Sequence, residues 1–179
     1  MDDDQIRAAV IGELKEWQPV VLADYDPAWP QLFEREAQRI RGALGERALE
    51  IEHVGSTAVP GLAAKAIIDI NLVVEDSANE AAYVPDLEAA GYILRLREPE
   101  WFEHRLFKGP DTNINLHVFS RGCEEVDKMR AFRDHLRTNE TDRALYERTK
   151  RELAGQEWKY VQNYADAKTA VVQEILARA

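Results

Sequence analysis

His53-Val54-Gly55-Ser56-Thr57 runs through Pro60-Gly61 and Lys65 into Ile67-Ile68-Asp69-Ile70-Asn71-Leu72-Val73-Val74. The second run is almost entirely β-branched or apolar, the composition of a strand buried on both faces, so a central strand is expected over residues 67–74. Strand side chains alternate, which places Ile68, Ile70 and Leu72 on one face and Ile67, Asp69, Asn71 and Val73 on the other. Asp69 and Asn71 therefore point the same way, about 7 Å apart at ~3.3 Å per residue. Ahead of the turn, Leu49, Ile51 and His53 alternate with Glu50, Glu52 and Val54, as in a half-buried strand. Between the two strands Gly55 permits close backbone approach, and Ser56 offers an N–H and a hydroxyl.

Further out, Ile6, Val10 and Leu14 lie at helical spacing, so residues 1–18 are expected as a helical appendage to a single domain over 19–179. Val20-Val21-Leu22 is a short strand candidate. Asp26 before Pro27 suits the start of a helix with Phe33, Ala37, Ile40 and Leu44 on one face. A helix is expected from Ser77 to Ala90, stopping at Gly91, then a strand from Tyr92 to Leu96. The hairpin 104–108 and 112–119 turns through Gly109-Pro110-Asp111. Its second arm sets Ile114, Leu116 and Val118 against Asn113, Asn115, His117 and Phe119. Beyond Gly122 the periodicity is helical, over about 123–137, 141–154 opened by Thr141, and 157–177.

The chain has 179 residues, 45% hydrophobic and 31% charged, which fits one soluble domain with a substantial core. It carries no apolar run of ~18 residues, and its acidic start differs from a secretory signal, so a cytoplasmic protein is expected. Cys123 is the only cysteine and has no metal-spaced partner. A net charge of −10 opposes general nucleic-acid binding. A small anion remains compatible, because backbone N–H groups or a bound cation attract phosphate locally.

A phosphate-holding turn followed by a carboxylate strand is how nucleotidyl-transferring sites are assembled: the triphosphate is oriented, metal offsets its charge, and a hydroxyl attacks in line. Its wider setting is more specific. Tyr25-Asp26-Pro27-Ala28-Trp29-Pro30 with Phe33, the stretch from His53 to Leu62, Lys65, Ile68-Asp69-Ile70 and Asn115-Leu116-His117-Val118 together resemble the GrpB family. The resemblance continues through Phe132-Arg133-Asp134, Tyr146, Lys150, Tyr164 and Lys168. It implies an α+β fold of the nucleotidyltransferase superfamily, polymerase-β-like: a mixed sheet with helices packed on one side and a C-terminal helical part closing a cleft. Some members of that family occur joined to dephospho-CoA kinase.

The resemblance also implies a nucleotide or other phosphorylated small molecule as partner and Mg or Mn as cofactor. Gly55 and Ser56 match the phosphate turn, and Asp69 matches the first metal carboxylate. Asn71 stands at the second acid position, and Asn113, Asn115 and His117 on the later strand bring no acid. Amides are poorer Mg²⁺ ligands than carboxylates, so metal-dependent transfer competes with a non-catalytic nucleotide-binding or interaction module that has lost its metal carboxylates. Catalytic candidates are thus Asp69, Asn71 and His117, the last as a base or a ligand to a softer metal. Ligand-binding candidates are His53, Gly55, Ser56, Thr57, Lys65, Arg133, Tyr164 and Lys168; the long basic side chains qualify only where they converge on the cleft.

Overall fold

A computed structural model describes residues 3–13 and 19–179. Five strands, β1 (Glu50–Val54), β2 (Ile68–Val74), β3 (Ile93–Glu98), β4 (His104–Lys108) and β5 (Ile114–Ser120), form one mixed sheet in the order β1-β2-β5-β4-β3. Its centre is the parallel pair β2–β5, and every other pairing is antiparallel. The register sets Asp69 beside Asn115 and Asn71 beside His117.

The alternation expected for 67–74 is realised. Ile68, Ile70, Leu72 and Val74 join Leu116, Val118 and Phe107 in the main core, covered by helices α2 (Trp29–Leu44) and α3 (Val84–Ala89) through Trp29, Ile40, Leu44 and Leu87. On the opposite face Val73 and Phe119 pack on Val126 of α4 (Glu124–Thr138). A separate cluster ties Val59 and Leu62, in the loop after β1, to Leu136 of α4, Tyr146 of α5 (Glu140–Ala154), and Val171 and Ile175 of α7 (Thr169–Leu176). The C-terminal helices therefore lie over the sheet face that carries Asp69 and Asn71, and a short helix α6 (Val161–Ala167) precedes α7.

Several expected elements are shorter or displaced. The helix placed at 77–90 is only α3, after a tight turn at Glu80–Ala82. Pro85 lacks an N–H and would clash inside a continuous helix, so it sits in the first turn. Asn139 caps α5 rather than Thr141, its side-chain oxygen accepting from Asp142 N at 3.0 Å. The helix expected at 157–177 breaks at Lys168, whose N–H bonds three residues back to Ala165 O, separating α6 from α7. In place of a strand at 20–22 there is one bridge, Ala23 to Ala64, and Val21 is exposed.

The N-terminal helix α1 (Asp3–Ala9) stops before Val10, which bridges to Leu96 on β3 instead of extending the helix; Leu14 lies outside the described residues. Ile6 and Ala9 are buried, and Ile11 packs against the main core. Among the described residues no helix is long and apolar enough to cross a membrane.

Candidate functional site

Gly55 has φ +70°, and a Cβ there would lie 2.6 Å from Asp69 Oδ2. The glycine is required because the Asp69 carboxylate packs against it, so turn and strand are mutually fitted. Beneath the turn, Thr57 donates its hydroxyl to Ile67 O at 3.2 Å and so must accept from His53 Nε2 at 3.0 Å. His53 stacks on Phe33 with centroids 5.0 Å apart, and burial lowers its pKa to about 4. A neutral His53 is thus a bracket under the turn, away from the cavity wall, while Thr57 reaches that wall.

The cavity, about 60 Å³, lies between this turn, the ends of β2 and β5, and α5–α7; Ser56, Asp69, Asn115, Lys65, Lys150 and Lys168 are among its lining. Ser56 Oγ accepts from Lys150 Nζ at 3.0 Å, and the same ammonium is bound by Ala63 O. Lys150 is 3% exposed. Burial first, then the charge of Lys168, lower its pKa to about 7. Lys65 and Lys168 stand 5.0 and 4.8 Å from the ring centre of Tyr164, and burial lowers both their pKa values. Among the described residues neither amine has a carboxylate within 4.0 Å. The buried Tyr164 hydroxyl is pushed up to about 12.

Among the described residues Asp69 is the one carboxylate lining this wall. Burial opposes its ionisation, but hydrogen bonding from His117 and Asn115 and the charge of Lys168 outweigh it, leaving its pKa below the usual value. Asn115 Nδ2 donates to Asp69 Oδ1 at 2.7 Å, and Asn115 Oδ1 accepts from Lys108 Nζ, which fixes the amide's orientation. His117 Nε2 is 3.5 Å from Asp69 Oδ1. Asn71 is 1% exposed, and neither of its amide atoms has a hydrogen-bond partner among the described residues.

The structure therefore brings Gly55, Ser56, Thr57, Lys65, Asp69, His117, Tyr164 and Lys168 together. Arg133 is elsewhere: its guanidinium pairs with Asp134 and Glu52 and donates to His53 O, tying α4 to β1. Lys150 and Tyr146 were missed as site residues. The available signal was the stripe Asp142, Tyr146 and Lys150 along α5, where a lysine shares a helix face with buried groups. His104, which contacts His117 from the far side, and Glu98, which contacts His104, gave no local signal.

The donors fit Mg²⁺ or Mn²⁺ poorly. One carboxylate stands where a hard cation needs several oxygens, the oxygen of Asn115 is held by Lys108, and Asn71 adds no charge. Among the described residues no three His, Cys, Asp or Glu side chains converge as a metal-binding group.

Comparison with known proteins agrees with the resemblance seen in sequence. The sequence profile of the family described as GrpB protein matches residues 19–178. A UPF0157 protein of Halalkalibacterium halodurans is 62% identical over 178 residues, 99% of this chain and 91% of its own length. The dephospho-CoA kinase of Mycolicibacterium paratuberculosis is similar over only 77 residues, 48% identical, covering 41% of this chain and 19% of the kinase. The crystal structure of conserved protein GrpB from Enterococcus faecalis superposes with TM-score 0.70 at 32% identity, covering 88% of this chain and 98% of that one. With the family profile matching nearly the whole chain and a relative and a solved structure of the same kind covered over most of their length, the chain belongs to the GrpB family.

Proposed function

We propose that this protein binds the phosphate or pyrophosphate group of a phosphorylated small molecule, nucleotides included, between the Ser56 turn and helices α5–α7. The observation that carries this reading is the convergence of Lys65, Lys150 and Lys168 on one small cavity in a molecule of net charge −10. Gathering three ammonium groups in a partly buried space costs free energy, visible in the lowered pKa of each. A bound polyanion would offset that cost and accept hydrogen bonds from Ser56 and Lys150. Asp69 would then orient the neutral part of the ligand or exchange a proton with it, without the pair of metal ions that nucleotidyl transfer by the usual route needs.

Thermal shift and titration calorimetry with inorganic pyrophosphate and with each nucleoside triphosphate, with and without Mg²⁺, test this. Stabilisation without metal is expected, corresponding to about 2.7 kcal/mol when the ligand is at ~100 times its Kd. It should weaken in Ser56→Ala and disappear in Lys168→Met. Absence of any shift with all these anions would overturn the reading, and a shift that appears only with Mg²⁺ would favour metal-dependent transfer instead.

A further inference from the structure

Asp69 is a carboxylate set into the wall of a cavity that also gathers Lys65, Lys150 and Lys168, and its two oxygens have different surroundings. Oδ1 accepts from Asn115 Nδ2 at 2.7 Å and has His117 Nε2 at 3.5 Å. Lys108 holds Asn115 Oδ1, so the Asn115 amide keeps its N–H toward Asp69. Oδ2 has no hydrogen-bond partner among the described residues. It lies against Gly55, next to the Ser56 that lines the cavity, where a Cβ would come within 2.6 Å of it. The turn is thus shaped around an acceptor that the protein itself leaves open.

The size of the space decides what that acceptor meets. The cavity is about 60 Å³. At ~10–15 Å³ for each water-sized group it encloses roughly four or five of them, the oxygens of one phosphoryl group. Only one phosphate of a longer ligand fits inside, and it cannot meet the lysines without also meeting Asp69. A carboxylate oxygen only accepts hydrogen bonds, and so does every oxygen of a fully ionised oxyanion. Set face to face, the two repel and both go unpaired. A phosphate that keeps one P–O–H removes the conflict, because it donates to Oδ2 while its other oxygens accept from Ser56 and the lysines. Sulfate has the same tetrahedral shape and no proton to give at neutral pH.

We propose, resting on the anion-binding reading above, that Asp69 Oδ2 is the specificity-determining acceptor of this cavity. It selects an oxyanion that carries a proton, hydrogen phosphate or a singly ionised phosphomonoester, over a fully ionised one such as sulfate. Asp69 then recognises the ligand directly, with no metal between them.

Titration calorimetry with orthophosphate, methyl phosphate and sulfate, at pH 7 and constant ionic strength with a chelator present, tests this. The wild type should bind orthophosphate roughly 10–100-fold more tightly than sulfate, the worth of one hydrogen bond to a charged group. Asp69→Asn keeps the shape of the side chain but puts an N–H donor where Oδ2 was, since its oxygen must still accept from Asn115. Sulfate should then gain affinity and the preference should disappear. Methyl phosphate tells the two sources apart: binding tighter than orthophosphate points to an ester, weaker binding to the free ion, and rejection of sulfate is required in both. Sulfate bound as tightly as orthophosphate by the wild type, or a preference unchanged in Asp69→Asn, overturns the proposal. The wild-type ratio decides even where Asp69→Asn fails to fold. If none of these anions nor pyrophosphate binds, the anion-binding reading itself fails, whereas binding without discrimination removes only the role given to Asp69.

Discussion

Lys150 couples the cavity to pH. Its ammonium ionises near the ordinary 10.5 in an unfolded chain and near 7 in the folded one. Between those values the unfolded state holds the additional proton, so this residue makes stability rise with pH, by at most about 1.4 kcal/mol per unit. Below about pH 7 both states are charged and the full penalty stands. Urea unfolding at pH 7 and pH 9 should show the wild type gaining on Lys150→Met, by roughly 1–3 kcal/mol. The same shift predicts proton uptake when a phosphate binds at pH 8, because the anion restores the charge on Lys150; calorimetry in buffers of different ionisation enthalpy would detect it. At Gly55, alanine would place its Cβ 2.6 Å from Asp69 Oδ2 at a positive φ, an expected loss of about 1–3 kcal/mol together with displacement of the carboxylate. Asn71 is the opposite case. Its amide is buried with no partner among the described residues, and removing such a group relieves a cost of about 1–3 kcal/mol. Asn71→Leu should therefore leave denaturant stability unchanged or raised, and a marked loss would mean that the amide is engaged.

Helix α5 shows how a cap and a stripe act together. Asn139→Ala should cost about 1 kcal/mol in thermal unfolding, because the amide of Asp142 loses its acceptor. Downstream of that cap, Tyr146 and Lys150 are carried at successive turns to Ser56, so a frayed first turn also loosens the cavity wall. At this scale much was legible in sequence. The alternation in 67–74 set which face Asp69 takes, and the hairpin 104–119 put His117 and Asn115 on the matching face. What was not legible is tertiary. The break at Lys168 follows from no glycine or proline; it lets α6 bring Tyr164 to the wall while α7 returns Val171 and Ile175 to the Val59–Leu62 cluster. The Glu98–His104 contact depends on the left-handed pair Phe102–Glu103, residues whose types give no hint of that backbone.

For the whole molecule, the N-terminal segment is part of the packing rather than a loose addition. Deleting residues 1–13 removes the buried Ile6 and Ala9 and the bridge from Val10 to Leu96, an expected loss of roughly 2–4 kcal/mol by denaturant unfolding. That deletion leaves the cavity lining in place, so pyrophosphate affinity should change little. The central parallel pair has a consequence of another kind. Asp69 and Asn115, hydrogen bonded across β2 and β5, are 46 residues apart in the chain, and β3 and β4 lie in the intervening loop. Closing so long a loop is entropically slow compared with forming the flanking helices and hairpins. The cavity therefore does not exist in any folding intermediate that lacks this closure. A ligand that selects the finished cavity would act as a kinetic latch, slowing unfolding while leaving the folding rate almost untouched.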